Sequence, residues 1–299
     1  MDIFNVLKKY NLSIISINEI KKGYSSTKWK ITDNNCNIYV AKMIDLIHRK
    51  NFPFALNVQD ELKDETAEII RSKDGNLCVF DEKGIFYITK FLVSKQHIYS
   101  SREFGNYLGH LHVNLEKIKL NNNVQFIENK NNYRKIEKLK LKTNGLIKEI
   151  LEFKAEIIKN IETEKIDFSS LKYQVIHGDY YEDNLVFTTN GIKIIDFDQC
   201  CCFYREYEML RGFFISIFKT ENSSTKNFNE LKKYVEGYKN QIKKIDSYNA
   251  YMIYLYVQAN SLAGISDKKI DVNFAKKRYE VLQFLYRYQK EIIDIIAES

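Results

Sequence analysis

The chain has 299 residues, and its 44% hydrophobic and 28% charged residues are typical of a soluble globular protein. This length is sufficient for one large domain or for two lobes with a sizeable core. The absence of any run of about 18 apolar residues argues against a membrane-spanning helix, so no membrane partner is expected. The first residues, MDIFNVLKKYNLSII, lack the basic start and continuous apolar core of a signal peptide, and we therefore expect a cytoplasmic protein.

The formal charge is +7, from 46 basic and 39 acidic residues, and the lysines are spread along the chain. This pattern is typical of a solvated lysine-rich surface, although an electropositive cleft for phosphates would fit the same charge. Because there is no long basic tract and no nucleic-acid-reading module, we expect no nucleic-acid partner. The five cysteines, which include Cys200-Cys201-Cys202, have neither zinc-site spacing nor a disulfide pattern, so we expect reduced thiols.

The N-terminal part predicts a short helix followed by a meander of strands. Helical spacing of apolar residues covers 1–12, and strand-like segments follow at 13–21, 27–32 and 37–44. The connection between the first two strands contains Gly23, Ser25 and Ser26. Its backbone N–H groups could fold over a phosphate, and a plain hairpin loop is an equally good interpretation of a single glycine.

Lys42 lies in VAKMI, a strand whose other residues are apolar or small. A lysine in a buried strand needs a negative partner. Either Lys42 reaches the α- and β-phosphates of a nucleotide, or it lies on an edge strand and extends to solvent. A helix is predicted over 51–63, and its Glu61 is our candidate partner for Lys42, with Glu65 and Glu68 as alternatives.

The pattern then changes from strands to helices. Segments 68–71 and 77–80 predict a hairpin, and a buried strand follows at 85–93. We therefore predict an α+β protein with a small, mostly antiparallel β N-terminal lobe over 1–93 and a larger, mostly helical C-terminal lobe over 94–299. Helices are predicted from residue 101 onward and near 132–143, 145–165, 205–218, 228–243, 247–264 and 271–297.

Two features of the helical part bear on ligands. His110 and His112 are two residues apart on one predicted helix and point to different faces, so we do not expect a shared metal. The helix predicted over 247–264 is apolar and carries Tyr248 and Tyr256 at turn spacing. This spacing favours a core helix, with a pocket wall for a sugar or an amine as the alternative.

The stretch VIHGDYYEDNLVFTTNGIKIIDFDQ, residues 175–199, carries the strongest chemical signal. An Asn-Gly pair between two short apolar runs predicts a β-hairpin, with Asn184 just before it and Asp196 just after it. Since the two ends of a hairpin are neighbours, Asp179, Asn184 and Asp196 should lie close together. Oxygen ligands of this kind suit a hard cation such as Mg²⁺, with one carboxylate left for proton transfer.

These motifs resemble a known family. HGDYYEDN followed by IKIIDFD resembles the catalytic and metal motifs of the aminoglycoside phosphotransferase and choline kinase-like group, which are small-molecule relatives of the protein kinases. VAKMI resembles the lysine strand of that group, and LGHLH resembles the helix before its catalytic loop. The resemblance implies a two-lobed protein-kinase-like fold. The stretch SKDGNLCVFDEKGIFYITKFL is most similar to homoserine-kinase-like or spore-coat-kinase-like members.

The resemblance also implies an activity. It points to an ATP-dependent phosphotransferase, with GTP as an alternative donor, that uses Mg²⁺ and phosphorylates a hydroxyl of an aminoglycoside, amino alcohol, sugar or homoserine-like molecule. By the same resemblance Asp179 is the base, Asn184 and Asp196 hold the metal, and Lys42 contacts the phosphates. Its implied phosphate cover is Gly23 with Ser25 and Ser26.

Some points stay open at the level of the sequence. Glu61 as the acidic partner of Lys42 is one of several alternatives, and the role of Asp198 is not assigned. The glycine-rich loop is thin, which suggests an alternative function as a kinase-fold binding or structural protein, for example in a spore coat, with weak or no catalysis. We expect a monomer or a homodimer.

Overall fold

The computed structural model describes residues 3–20, 26–44, 52–82, 84–119, 132–164, 166–266 and 270–299. These residues divide into two compact units. The first comprises the described residues of Met1–Ile98, Asn114–Gln125 and His177–Cys201, and the second comprises those of Tyr99–Val113, Phe126–Ile176 and Cys202–Ser299. The first unit thus takes in the segment with Asp179, Asn184 and Asp196, and a single lobe boundary near residue 93 stays a prediction.

The first unit is built on an antiparallel sheet. Its strands are β1 (Ile14–Ile20), β2 (Ser26–Asp33), β3 (Ile38–Ile44), β4 (Ile69–Ile70), β5 (Val79–Asp81) and β6 (Gly84–Lys90), and its helices are α1 (Ile3–Leu7) and α2 (Phe52–Glu61). The strand order is β1-β2-β3-β6-β4, and β5 also pairs with β6. The turn between β2 and β3 is fixed by the Asp33 carboxylate, which accepts hydrogen bonds from the backbone N–H groups of Asn35 and Asn37.

The predicted hairpin between 68–71 and 77–80 is wrong in its pairing. Both β4 and β5 pair with β6, at Ile69↔Thr89 and at Val79↔Phe86, and not with each other. A turn does connect the two segments, because Ser72 N–H donates to the carbonyl of Asn76 at 2.9 Å. Local turn signals were therefore read correctly, while the partner strand was fixed by contacts distant in sequence.

Apolar side chains pack against both faces of the sheet. Leu7 and Tyr10 pack with Ile31, Phe86 and Ile88 in one buried cluster. Phe86 and Ile88 are two positions apart on β6 and so share a face. Tyr87, which lies between them, faces the opposite side and contacts Phe52 of α2 with 5.3 Å between ring centroids. Each buried side chain of this size contributes about 1.5–3 kcal/mol relative to exposure.

The predicted Asn-Gly hairpin is present. It consists of β8 (Leu185–Thr188) and β9 (Gly191–Ile194), paired in antiparallel register from Leu185↔Ile194 to Thr188↔Gly191. The ladder continues one step beyond the strands, since Ile195 N–H donates to the Asn184 carbonyl at 2.9 Å. Within the first unit, Thr66 bridges to Ile194 in parallel, which attaches this hairpin to the segment after α2.

The second unit is mostly helical. Its elements are most of α3 (Ser101–Leu115), then α4 (Tyr133–Lys140), α5 (Gly145–Glu164), β7 (Tyr173–Ile176), β10 (Cys201–Tyr204), α6 (Arg205–Gly212), α7 (Ser224–Lys239), α8 (Ser247–Asn260), α9 (Val272–Arg287) and α10 (Gln289–Glu298). Side chains at the helix starts cap α7, α8 and α9, where Ser223, Asp246 and Asp271 each accept a backbone N–H. The single helix predicted over 271–297 is wrong, because Tyr288 leaves helical geometry and divides it.

The tyrosine-rich helix α8 lies in the core. Met252 is buried, but Tyr248, which the spacing favours as a core residue, is exposed, and the fully buried tyrosines of this helix are Tyr251 and Tyr254. His112 of α3 is also buried, with Nδ1 2.7 Å from the Tyr238 hydroxyl. His110 is exposed, so the two histidines do face different sides. No helix in the described ranges is long and apolar enough to cross a membrane.

Candidate active site

The loop after β7 holds Asp179 through two structural neighbours. Gly178 has a φ of 78°, and a Cβ at this position would lie 2.1 Å from the carbonyl oxygen of Gln199, so only glycine fits. His177 is fully buried; its Nδ1 accepts from Asp179 N–H at 3.2 Å and its Nε2 lies 3.1 Å from the carbonyl of Ile195. This pair of bonds requires the neutral Nε2–H tautomer. His177 therefore supports the loop through these two hydrogen bonds.

Asn184 lies next to Asp179. Its Nδ2 donates to the backbone carbonyl of Asp179 at 2.8 Å and lies 3.4 Å from Asp179 Oδ2. Because the amide nitrogen is used in this way, the carboxamide oxygen of Asn184 is the atom that can bind a cation. The 3₁₀ turn Glu182–Asn184 and the start of β8 hold the side chain, which is 4% exposed.

Asp196 follows β9 in a left-handed conformation, with φ 68° and ψ 60°. Its two carboxylate oxygens bind two different lysines: Oδ1 is 2.8 Å from Lys42 Nζ, and Oδ2 is 3.1 Å from Lys28 Nζ. Burial alone would raise the pKa of this carboxyl, but the positive charges of Lys42 and then Lys28 outweigh it and lower the pKa well below its usual range. Asp196 is therefore ionised throughout the physiological pH range.

Lys42 is a buried lysine. The predicted ion pair of Lys42 with Glu61 is wrong, because its partners are Asp196 and Asp198. Its Nζ lies 2.5 Å from Asp198 Oδ2, in addition to the contact with Asp196. Glu61 is exposed at the end of α2, while Gln59 of the same helix is buried. Residues two positions apart on a helix do not share a face, which explains the error.

The two alternative partners also lie elsewhere. Glu65 accepts a hydrogen bond from the side chain of Asn114. Glu68 is exposed and 3.9 Å from Lys90 Nζ. The acidic partner of Lys42, predicted on or near α2, is instead Asp198, from the same short segment as Asp196.

A cavity of about 250 Å³ in the first unit adjoins these charges. Its apolar lining includes Val40, Ala67, Leu92, Val186 and Ile195, and its polar lining includes Lys28, Lys42 and Asp196. An apolar slot with a few placed charges is the usual form of a small-ligand site. Of the predicted phosphate cover, Gly23 and Ser25 lie outside the described residues, and Ser26 is the first residue of β2, opposite Ile44.

Lys28 is a site residue that the sequence reading missed. It pairs directly with Lys42 in the β2–β3 register. The turn over 33–37, in which Asp33 N–H donates to the Asn37 carbonyl, sets that register and so places a second lysine beside the first.

A comparison with protein families decides the identity of the fold and the enzyme class. Residues 16–213, more than half of the chain and all of the predicted site residues, match the model of the phosphotransferase enzyme family. The chain belongs to this family. The membership confirms the resemblance found in the sequence and the prediction of a small-molecule phosphotransferase. A comparison with curated proteins found no match.

Solved structures of similar fold include several small-molecule kinases. A choline kinase from Cryptosporidium parvum Iowa II has a TM-score of 0.68 at 14% identity, covering 99% of this chain and 98% of that chain. The amicoumacin kinase hAmiN, solved with AMP-PNP, Ca²⁺ and its antibiotic, has a TM-score of 0.65 at 14% identity over 98% and 94% of the two chains. Spectinomycin phosphotransferase with ADP and spectinomycin has a TM-score of 0.63 at 14% identity over 99% and 96%. These likenesses confirm the predicted kinase-like α+β fold of this phosphotransferase.

Proposed function

We propose that the protein transfers the γ-phosphoryl group of ATP to a hydroxyl of a small molecule, with Asp179 as the base and with Asn184 and Asp196 holding Mg²⁺. The observation that carries the proposal is the ion pair of the buried Lys42 with Asp196, at the end of the hairpin that joins Asp196 to Asn184. A phosphate-contacting lysine beside a metal-binding aspartate is what phosphoryl transfer requires.

The residues fit a metal that is shared with a nucleotide. In the described part of the chain there is no cluster of three His, Cys, Asp or Glu side chains that could hold a metal alone. One carboxamide oxygen and one ionised carboxylate are a sparse set of hard oxygen ligands, and Mg²⁺ is usually held by one or two carboxylates together with phosphates and water. When bound, the metal would neutralise charge on the phosphates.

The proposed proton step uses Asp179. The acceptor hydroxyl gives its proton to the Asp179 carboxylate as its oxygen bonds to the γ-phosphorus, and the bond from that phosphorus to the bridging oxygen of ADP breaks. Asn184 and His177 hold the loop of Asp179 in place through the hydrogen bonds to its backbone. Positioning of this kind supplies much of the rate in phosphoryl transfer.

The donor and the acceptor are proposed at different levels of detail. The apolar cavity next to Lys42 suits a purine base, and the printed AMP-PNP and ADP of the structural relatives support an adenine nucleotide, with GTP as the alternative. The relatives' names include choline, amicoumacin and spectinomycin, which all suit a hydroxyl acceptor on an amine-bearing small molecule. The proposed acceptor class is therefore an amino alcohol, an amino sugar or a homoserine-like molecule.

The direct test is nucleotide binding by thermal unfolding with magnesium alone, with ATP and magnesium, and with GTP and magnesium. At a free nucleotide concentration about 100 times Kd, stabilisation should be about 2.7 kcal/mol. Lys42→Met should lose most of this stabilisation, and the exposed Lys8→Met is the matched charge control. If wild-type protein shows no stabilisation by either nucleotide, the alternative of a kinase-fold binding or structural protein is favoured.

A further inference from the structure

Lys28 and Lys42 are directly opposite each other on β2 and β3. Side chains in such a pair lie on the same face with Cβ atoms about 4.5–5.5 Å apart, and like charges in this arrangement repel. Asp196 resolves the repulsion by accepting from both ammonium groups, at 2.8 Å from Lys42 and 3.1 Å from Lys28. An anion between the two lysines therefore stabilises this arrangement.

The two lysines differ in their other contacts. Lys42 also binds Asp198, and its side chain is 5% exposed. For Lys28 the ion pair found in the described residues is the one with Asp196, and its side chain is 32% exposed. Lys28 is thus the more accessible of the two, and it lines the same cavity as Lys42.

The charges would change if Asp196 served as a metal ligand. Its carboxylate would then be shared with a cation, and less of its negative charge would offset the repulsion between Lys28 and Lys42. A nucleoside polyphosphate brings several negative charges to the same place, and ammonium groups are effective point-charge ligands of phosphate. In this state Lys42 would still form its ion pair with Asp198. Lys28 would therefore gain more than Lys42 from an ion pair with a phosphate oxygen.

We infer that Lys28 is a second phosphate-binding lysine, which leaves Asp196 and contacts the polyphosphate of the bound nucleotide beside Lys42. The inference rests on the proposed function, since it needs a nucleotide in this cavity. In this role the ammonium group of Lys28 on β2 would supply a phosphate contact that a richer glycine loop would supply with its backbone N–H groups. A different role would be a lock, in which Lys28 only holds Asp196 in the empty protein.

The two roles predict opposite effects of Lys28→Met on affinity. A phosphate ligand predicts that Mg-ATP binds about tenfold more weakly, as expected for loss of one charge-assisted hydrogen bond. Binding of adenosine should change less than about twofold, because adenosine has no phosphate. A lock predicts unchanged or tighter binding of Mg-ATP, because Asp196 would be released.

The experiment is isothermal titration of the full chain with Mg-ATP, Mg-ADP and adenosine, using wild type, Lys28→Met, Lys28→Arg and the exposed control Lys8→Met. Circular dichroism checks that each variant folds, and Lys28→Arg keeps the charge and should recover most of the affinity. Weakening that is confined to phosphorylated ligands and absent in Lys8→Met supports the inference. Equal or tighter binding of Mg-ATP by Lys28→Met overturns it alone, whereas a wild type that binds no nucleotide overturns the proposed function as well.

Discussion

The ammonium of Lys42 and the carboxylate of Asp198 form a buried ion pair, with 2.5 Å between Nζ and Oδ2 and side-chain exposures of 5% and 6%. The pair ties the β3 strand to the segment that follows the β8–β9 hairpin. It replaces the expected contact with Glu61, so the position of Lys42 depends on the segment of Asp196 and not on the end of α2.

Asp198→Ala should therefore lower the free energy of unfolding, whereas Glu61→Ala should leave it nearly unchanged. Loss of one charged hydrogen-bond partner of a buried lysine costs about 1.5–3 kcal/mol, and the remaining bond to Asp196 keeps Lys42 from being left entirely unpaired. Glu61 is exposed, and its substitution should change stability by less than about 0.5 kcal/mol. Urea unfolding of both variants checks this. Equal effects of the two substitutions would show that Asp198 is not the dominant partner.

Gly178→Ala should be more damaging than the same change at Gly75. The two glycines have nearly the same φ, 78° and 79°, but a Cβ at Gly178 would meet the Gln199 carbonyl at 2.1 Å while nothing lies within 4 Å at Gly75. The shared left-handed backbone costs about 1–2 kcal/mol for alanine. Gly178→Ala should exceed this cost in urea unfolding and should also displace Asp179. Indistinguishable unfolding curves for the two variants would contradict the described packing.

The buried Lys154 should make stability depend on pH. Its Nζ donates to the carbonyl of Gln258 at 2.6 Å, and burial, followed by the positive charge of Arg278, lowers the pKa of Lys154 to about 7 from 10.5. Between these values the unfolded chain binds a proton that the folded chain does not. The free energy of unfolding should therefore rise with pH across this window, with a slope of at most about 1.4 kcal/mol per pH unit.

Lys154→Met isolates this contribution, because methionine has a similar length and does not titrate. Urea unfolding at pH 7.5 and pH 9.5 should show wild type gaining about 2.5 kcal/mol more than the variant does over the same interval. The comparison removes the pH dependence of all other groups. A difference between the two proteins that stays constant with pH would mean that Lys154 is protonated in the folded state.

Local sequence signals were sufficient for the hairpin and the residues around it. Asn190-Gly191 fixed the turn, and the turn fixed the neighbourhood of Asn184 and Asp196. The start of helix α3 and the bounds of the strands β1, β2 and β3 were also predicted to within one or two residues. These features depend on contacts between residues that are close in sequence.

Contacts between distant residues account for what the sequence reading missed. The pairing of β4 and β5 with β6 depends on which edge of the sheet is open. The choice of Asp198 over Glu61 depends on the phase of α2 and on a segment more than 130 residues away. Lys28 required only the register of β2 against β3, which is set by the turn over 33–37; a turn over 33–35 alone would instead place Val40 opposite Lys28.

The central claim is phosphoryl transfer from ATP to a hydroxyl with Asp179 as base, and the direct measurement is magnesium-dependent ADP release with a panel of amino alcohols, amino sugars and homoserine. Asp179→Asn keeps the size of the side chain and removes the base, so we expect kcat to fall about 10²–10⁴-fold with little change in the KM for ATP. The exposed neighbour Asp183→Asn should keep wild-type activity. Full wild-type turnover by Asp179→Asn would contradict the role of Asp179 as base. A wild-type protein that binds Mg-ATP but turns over none of these acceptors would contradict the proposed phosphoryl transfer.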